Sequence, residues 1–212
     1  MLSEGVHSLV DTMNQVLMLY GIHRAALPPD ERHPLGYGRE LYFWSFVVAL
    51  LIFSLGAGVA FYEGIAHIIA PVRIENPTVN YVVLALSFVF ESATWWIAVR
   101  EFDKHRGKRG FIEEATRSRD PTTYLVLFED SAALVGIAIA FAGIAASDYL
   151  GLPVLDGVAS IGIGVILAAT ALFLARESKG LLIGEPAQES TRKSISAVVR
   201  GTPGVLDIAR LI

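Results

Sequence analysis

Four stretches of mostly apolar residues, roughly 41–70, 78–99, 122–146 and 154–175, dominate this chain. Each has the ~20 residues a helix needs to cross the hydrocarbon core of a bilayer. Lipid offers the backbone no hydrogen bonds, so segments of this kind must satisfy their own N–H and C=O groups as helices. A fifth stretch, about 1–21, has the length but carries Glu4, His7 and Asp11, and spans only if those side chains are tolerated. The chain is 53% hydrophobic and 18% charged, where a soluble domain has about 45–50% and about 25%. The expectation is an all-α membrane protein with five transmembrane helices. The absence of cysteine excludes disulfides, thiolate metal sites and cysteine nucleophiles together. No signal-peptide pattern precedes the first apolar segment, and a start almost inside that segment leads us to expect missing sequence upstream.

Between the spans lie polar connectors, "ALPPDERHPLGYGRE", "PVRIENPT", "REFDKHRGKRGFIEEATRSRDP" and "SDYLGLP", each punctuated by proline or glycine. If all five segments cross, the connectors alternate sides. Sixteen of the 17 Lys and Arg residues then fall on one side and only Arg73 on the other. That asymmetry predicts that the 22–40 and 100–120 connectors and the C-terminal tail are cytoplasmic. The run from Lys104 to Arg109 reads as a solvated, orienting patch that can touch anionic headgroups, and no nucleic-acid partner is expected. The last two spans carry glycine, alanine and serine at helical spacing, as close helix packing requires. After Gly184 the composition turns polar. An amphipathic helix is expected from about Gln188 to Arg200, then a "GTPG" turn and a possible strand over Val205–Ile212. So short a tail cannot bury a core of its own, so it reads as the start of a truncated soluble domain. The division is 1–184 for the membrane domain and 185–212 for that beginning.

The titratable residues inside the spans carry the chemistry. His7 and Asp11 stand four apart in "EGVHSLVDTMNQ" and share one helix face. A neutral imidazole and an anionic carboxylate together suit zinc and its neighbours; a hydrogen bond that only pins helix packing is the alternative. "LVLFEDSAALVGI" sets Glu129 and Asp130 in a second span, where adjacent carboxylates are costly unless compensated. His7, Asp11 and Asp130 make three donors for a tetrahedral cation, with Glu129 or a water as the fourth; Glu129 as an ordinary helix-start acid is the other reading. Glu91 is a candidate for proton coupling or for a hydrogen bond to a neighbouring helix. Glu63 and His67 read as structural, and Asp156 as the cap of its span. In the first connector, Asp30 and His33 can capture a cation at the mouth or simply rim a turn. An intramembrane metalloenzyme needs a general base and a cleft, and Glu91 is the only spare acid deep in a span, so no enzymatic activity is expected.

Together "EGVHSLVDTMNQ", "HPLGYGRELYFWSFVVALLIFSLGAG", "LFEDSAALVGI" and "LDGVASIGIGVIL" resemble the cation diffusion facilitators, the zinc-transporter family, in a branch with bacterial members. The resemblance runs through nearly the whole chain. It implies a six-helix bundle of which the five spans are helices 2–6, followed by a ferredoxin-like α+β cytoplasmic domain cut short here. It further implies a homodimer in a membrane such as the bacterial inner membrane, exporting Zn2+ in exchange for protons, with Mn2+, Fe2+ or Co2+ as other cargoes. The family's transport site takes two residues four apart on the second helix, matched by His7 and Asp11, and two on the fifth. There Asp130 matches the aspartate, but Val126 stands where many members have histidine, and Glu129 or water is the substitute. Asp30 and His33 match members that bind a second ion in the loop, with Tyr37 replacing a further histidine. A degenerate relative that binds or regulates without transporting is the rival reading, and Val126 favours it.

Overall fold

A computed structural model describes residues 2–71, 77–106, 121–184, 187 and 189–209, and they form six helices. These are α1 (Leu2–Ala25), α2 (Glu40–Ile69), α3 (Pro77–Arg106), α4 (Pro121–Leu150), α5 (Val154–Ile183) and α6 (Glu189–Arg200). Four of them, α2 to α5, are long and apolar enough to cross a membrane. The protein is therefore a multi-pass membrane protein. With 24 residues, α1 measures about 36 Å at 1.5 Å per residue, the length of a span, although it lacks the composition of the other four. The Lys104–Arg109 run and the second connector fall largely outside the described residues.

α5 is the centre of the packing. It lies along both α2 and α4, while α3 packs on α4 and α1 on α2. Met18, Val48, Ile52, Tyr124, Leu125 and Leu174 meet in one buried cluster drawn from α1, α2, α4 and α5. Leu127 of α4 packs with Ala98 and Phe102 of α3 in a second. The outward face of α3 keeps Val82, Leu86, Val89, Phe90 and Ile97 exposed, as a helix facing lipid tails would.

The small residues do what their spacing foretells. Gly64 of α2 and Gly157 of α5 meet so closely that a Cβ on either would stand 2.8 Å from the other's carbonyl oxygen. Small side chains let membrane helices approach to this distance. Gly143 of α4 packs in the same way on Ala159 of α5. Beside the Gly64–Gly157 crossing, His67 Nδ1 lies 3.0 Å from Asp156 Oδ2. This corrects the expectation for Asp156. Pro153 takes the N-cap position of α5 without a side-chain cap, and the Asp156 carboxylate turns to His67 instead.

Within α2, Ile52–Ala57 opens into a six-residue π-helical stretch. Such wide turns arise inside α-helices and often sit at functional sites. The amphipathic helix expected near 188–200 is α6. Of the possible strand over Val205–Ile212, residues 205–209 follow the turn at Gly204 as irregular chain and 210–212 lie outside the described residues; among the described residues there is no strand. A lone strand has no partner to receive its ladder hydrogen bonds.

Candidate functional site

The polar centre of the bundle lies where α1, α2, α4 and α5 meet. Asp11 of α1 and Glu129 of α4 line the same small cavity, about 10 Å³ in volume, with Val10, Ile52, Gly56, Ala132, Leu167 and Thr170 completing the wall. That is about the room one water or one small ion occupies. Ile52 and Gly56 belong to the π-helical stretch, so the distorted part of α2 forms one side of the cavity.

Glu129 is tied to α1. Asn14 Nδ2 donates to Glu129 Oε1 at 2.6 Å across 115 residues of sequence. Asn14, one turn beyond Asp11, is 1% exposed, and its own carbonyl oxygen has no hydrogen-bond partner among the described residues. Asp130 is 8% exposed and its Oδ2 is likewise unpartnered. It looks toward α3, where the Thr94 hydroxyl is its neighbour. Asp11 lies within charge–charge range of both Glu129 and Asp130, and Glu91 within range of Glu129. An unpaired buried carboxylate oxygen such as Asp130 Oδ2 is expensive in an apolar bundle, and either a bound cation or a proton would offset that cost.

Asp11, Glu129 and Asp130 therefore gather in one region, with Glu91 at its edge. Val126, one turn before Asp130, packs with Trp95 and Val99 of α3 against the second cluster. His7 sits on α1 one turn before Asp11, but its side chain lies outside the described residues. Among the described residues no three His, Asp or Glu side chains converge closely enough to hold a metal. Asp30 and His33 are apart from this centre, on the connector between α1 and α2, about half exposed.

That connector is strongly ordered by its own polar contacts. Asp30 Oδ1 accepts from the backbone N–H groups of Arg32 and His33 at 2.9 and 2.6 Å, and Oδ2 from the Tyr37 hydroxyl at 2.6 Å. The Tyr37 hydroxyl, first, and the His33 N–H hold the Asp30 carboxyl down to about 2 from its ordinary 3.8. The same bond raises Tyr37. Arg24 meets Glu40 at 3.1 Å and lies over the Tyr37 ring, and Trp44 donates to Glu40 at 3.0 Å. The loop is thereby strapped to the ends of α1 and α2.

Two features escaped the sequence reading. Asn14 lies in the opening motif and on the stripe of Asp11, which was the available signal; that its amide reaches α4 was not visible. The π-helical stretch has no local signature in "IFSLGA".

Acids from two different helices, Asp11 and Glu129, thus line one small buried cavity inside a bundle of membrane helices. Residues 1–183 match the cation efflux transmembrane domain, and the chain belongs to that family, the cation diffusion facilitators, which are transporters and not enzymes. It is 36% identical over 207 residues to the mitochondrial proton-coupled zinc antiporter SLC30A9 of Xenopus laevis, covering 97% of this chain and 37% of that protein. The human protein of the same name is 34% identical over 207 residues, covering 97% and 36%. Metal tolerance protein C4 of Arabidopsis thaliana is 32% identical over 201 residues, covering 94% and 44%. The chain thus spans less than half the length of these relatives.

Proposed function

We propose that this chain forms the membrane pathway of a proton-coupled antiporter for a divalent cation, with Zn2+ the foremost cargo and Mn2+, Fe2+ or Co2+ also accepted. The observation that carries the reading is the pair Asp11 and Glu129, from two helices, on one buried cavity, with the unpartnered Asp130 oxygen on the next residue. His7, Asp11 and Asp130 bind the ion, with Glu129 as the fourth donor. Glu91 relays protons. Asp30 and His33 form a secondary site at the mouth, which a cation fills only by displacing the Tyr37 hydroxyl. α1 is a fifth span, 1–184 is the transport domain and 185–212 begins a cytoplasmic ferredoxin-like domain. The working form is a homodimer in a membrane such as the bacterial inner membrane, with the tail cytoplasmic.

The coupling follows from the donors. Ligands must lose their protons to bind metal, so loading expels protons and returning protons expel metal. Histidine, with an ordinary pKa near ~6.5, exchanges in the cellular range. In proteoliposomes an imposed proton gradient is expected to drive Zn2+ uptake, and the His7→Ala/Asp11→Ala pair to abolish it. Uptake that survives the double change sinks the assignment. Val126, packed on α3 where a second imidazole would serve the ion, favours the rival of a relative that no longer transports. Under that reading, titration of the purified protein finds no Zn2+ site dependent on Asp11 or Asp130.

A further inference from the structure

Asn14, 1% exposed, is a deeply buried polar side chain at the α1–α4 junction, and only half of its amide is used. Its nitrogen donates to Glu129 Oε1 at 2.6 Å, whereas its carbonyl oxygen has no partner among the described residues. A buried acceptor left unsatisfied costs free energy comparable to a lost hydrogen bond. A purely structural asparagine in an apolar bundle is better served with both ends engaged. Its place explains the arrangement. It stands three residues beyond Asp11, so the two side chains lie on neighbouring turns of one face, and its partner Glu129 lines the cavity with Asp11.

We propose that Asn14 is a positioning and specificity-determining residue of the cation site. Its N–H holds one oxygen of Glu129 on the α1 side, so that the carboxylate stays at the cavity wall. Its carbonyl oxygen is the neutral acceptor that a bound cation, or a water carried on that cation, satisfies. The inference rests on the proposed cation site. It adds an oxygen to a donor set in which Val126 supplies no second imidazole. Oxygen donors suit harder ions, whereas nitrogen suits zinc. Asn14 therefore widens the cargo toward Mn2+ at the expense of discrimination.

The test is calorimetric titration of the purified chain with Zn2+ and separately with Mn2+, reading the ratio of the two affinities. Asn14→Leu, nearly isosteric but without donor or acceptor, is expected to weaken Mn2+ more than Zn2+, shifting the ratio by about fivefold, the scale of one net hydrogen bond. Asn14→Asp, which keeps an oxygen and adds charge, is expected to shift it the other way. A merely structural role would alter stability and both affinities together while leaving their ratio fixed, and that result overturns the inference. If Asn14→Leu does not fold, the Asp variant decides: no shift toward Mn2+ overturns the proposal. The Asp11→Ala/Asp130→Ala pair separates the two levels. Binding of both ions that survives that pair refutes the underlying site, whereas its loss beside an unmoved ratio in the Asn14 variants refutes only the role of Asn14.

Discussion

The Tyr37 hydroxyl and the Asp30 carboxylate make the tightest side-chain contact of the first connector, and their chemistry sets a pH window. Because the folded loop holds Asp30 near 2 against an ordinary 3.8, its contribution is fully present above the ordinary value and lost as pH falls toward 2. Tyr37→Phe is expected to move the Asp30 midpoint back toward 3.8, which carboxyl-carbon NMR titration of labelled aspartate will read; an unmoved midpoint would mean the backbone N–H groups alone hold it. The same substitution releases Oδ2 for a cation at the mouth. In the bundle, Val126→His supplies the missing imidazole one turn before Asp130. It is expected to tighten Zn2+ by about tenfold or more, and Mn2+ less, in calorimetry, because nitrogen is the preferred donor for zinc. Acids in spans need a reason to be there, which is what singled out Asp11, Glu129 and Asp130 in the sequence; the structure brings Asp11 and Glu129 to one cavity. Asn14 was harder to single out, because an uncharged amide raises no such alarm and its partner lies 115 positions away.

Helix crossings make a different kind of demand, one on volume. At Gly64 an added Cβ would stand 2.7 Å from Ile161 Cγ1 and 2.8–2.9 Å from backbone atoms of Gly157 and Ile161. Backbone atoms cannot swing aside, so Gly64→Ala must push α2 from α5. It is expected to destabilise the protein by about 1–3 kcal/mol. Gly136 provides the contrast, since a Cβ there would meet only Ile163 Cγ2 at 3.6 Å. Gly136→Ala should therefore be neutral or stabilise by up to about 1 kcal/mol through helix propensity. Unfolding in mixed micelles with increasing denaturing detergent will rank the two, and equal stabilities would show that the crossing tolerates separation. Four of the five expected spans and their small-residue faces were legible because length, apolarity and helical period are local properties. The π-helical stretch was not, because one extra residue in a helical turn is selected by what packs on both sides of it. Asp156 misled for the same reason: a helix-start acid suggests a cap, yet the partner it takes, His67, comes from another helix.

For the whole molecule, the question is which way the bundle sits and whether α1 crosses with it. Sixteen of 17 basic residues fall on one side if it does, and short-connector Lys and Arg are held on the cytoplasmic face during insertion. If α1 lay along the membrane surface instead, residues 2 and 26 would share a side, and Asp11 would have to reach the cavity it lines from the interface. The cavity is built by Val10 and Asp11 together with residues from the middles of α2 and α5, which favours a crossing helix. The chain has no cysteine, so single substitutions report cleanly. In inside-out and right-side-out vesicles, a membrane-impermeant maleimide is expected to label Ala26→Cys and Ser194→Cys from the cytoplasmic face. Leu2→Cys and Gly151→Cys should be labelled from the opposite face. Labelling of Leu2→Cys from the same face as Ala26→Cys would remove α1 from the set of spans. With it would go the proposed path of an ion from the first connector, beside Asp11 and Glu129, to the far side.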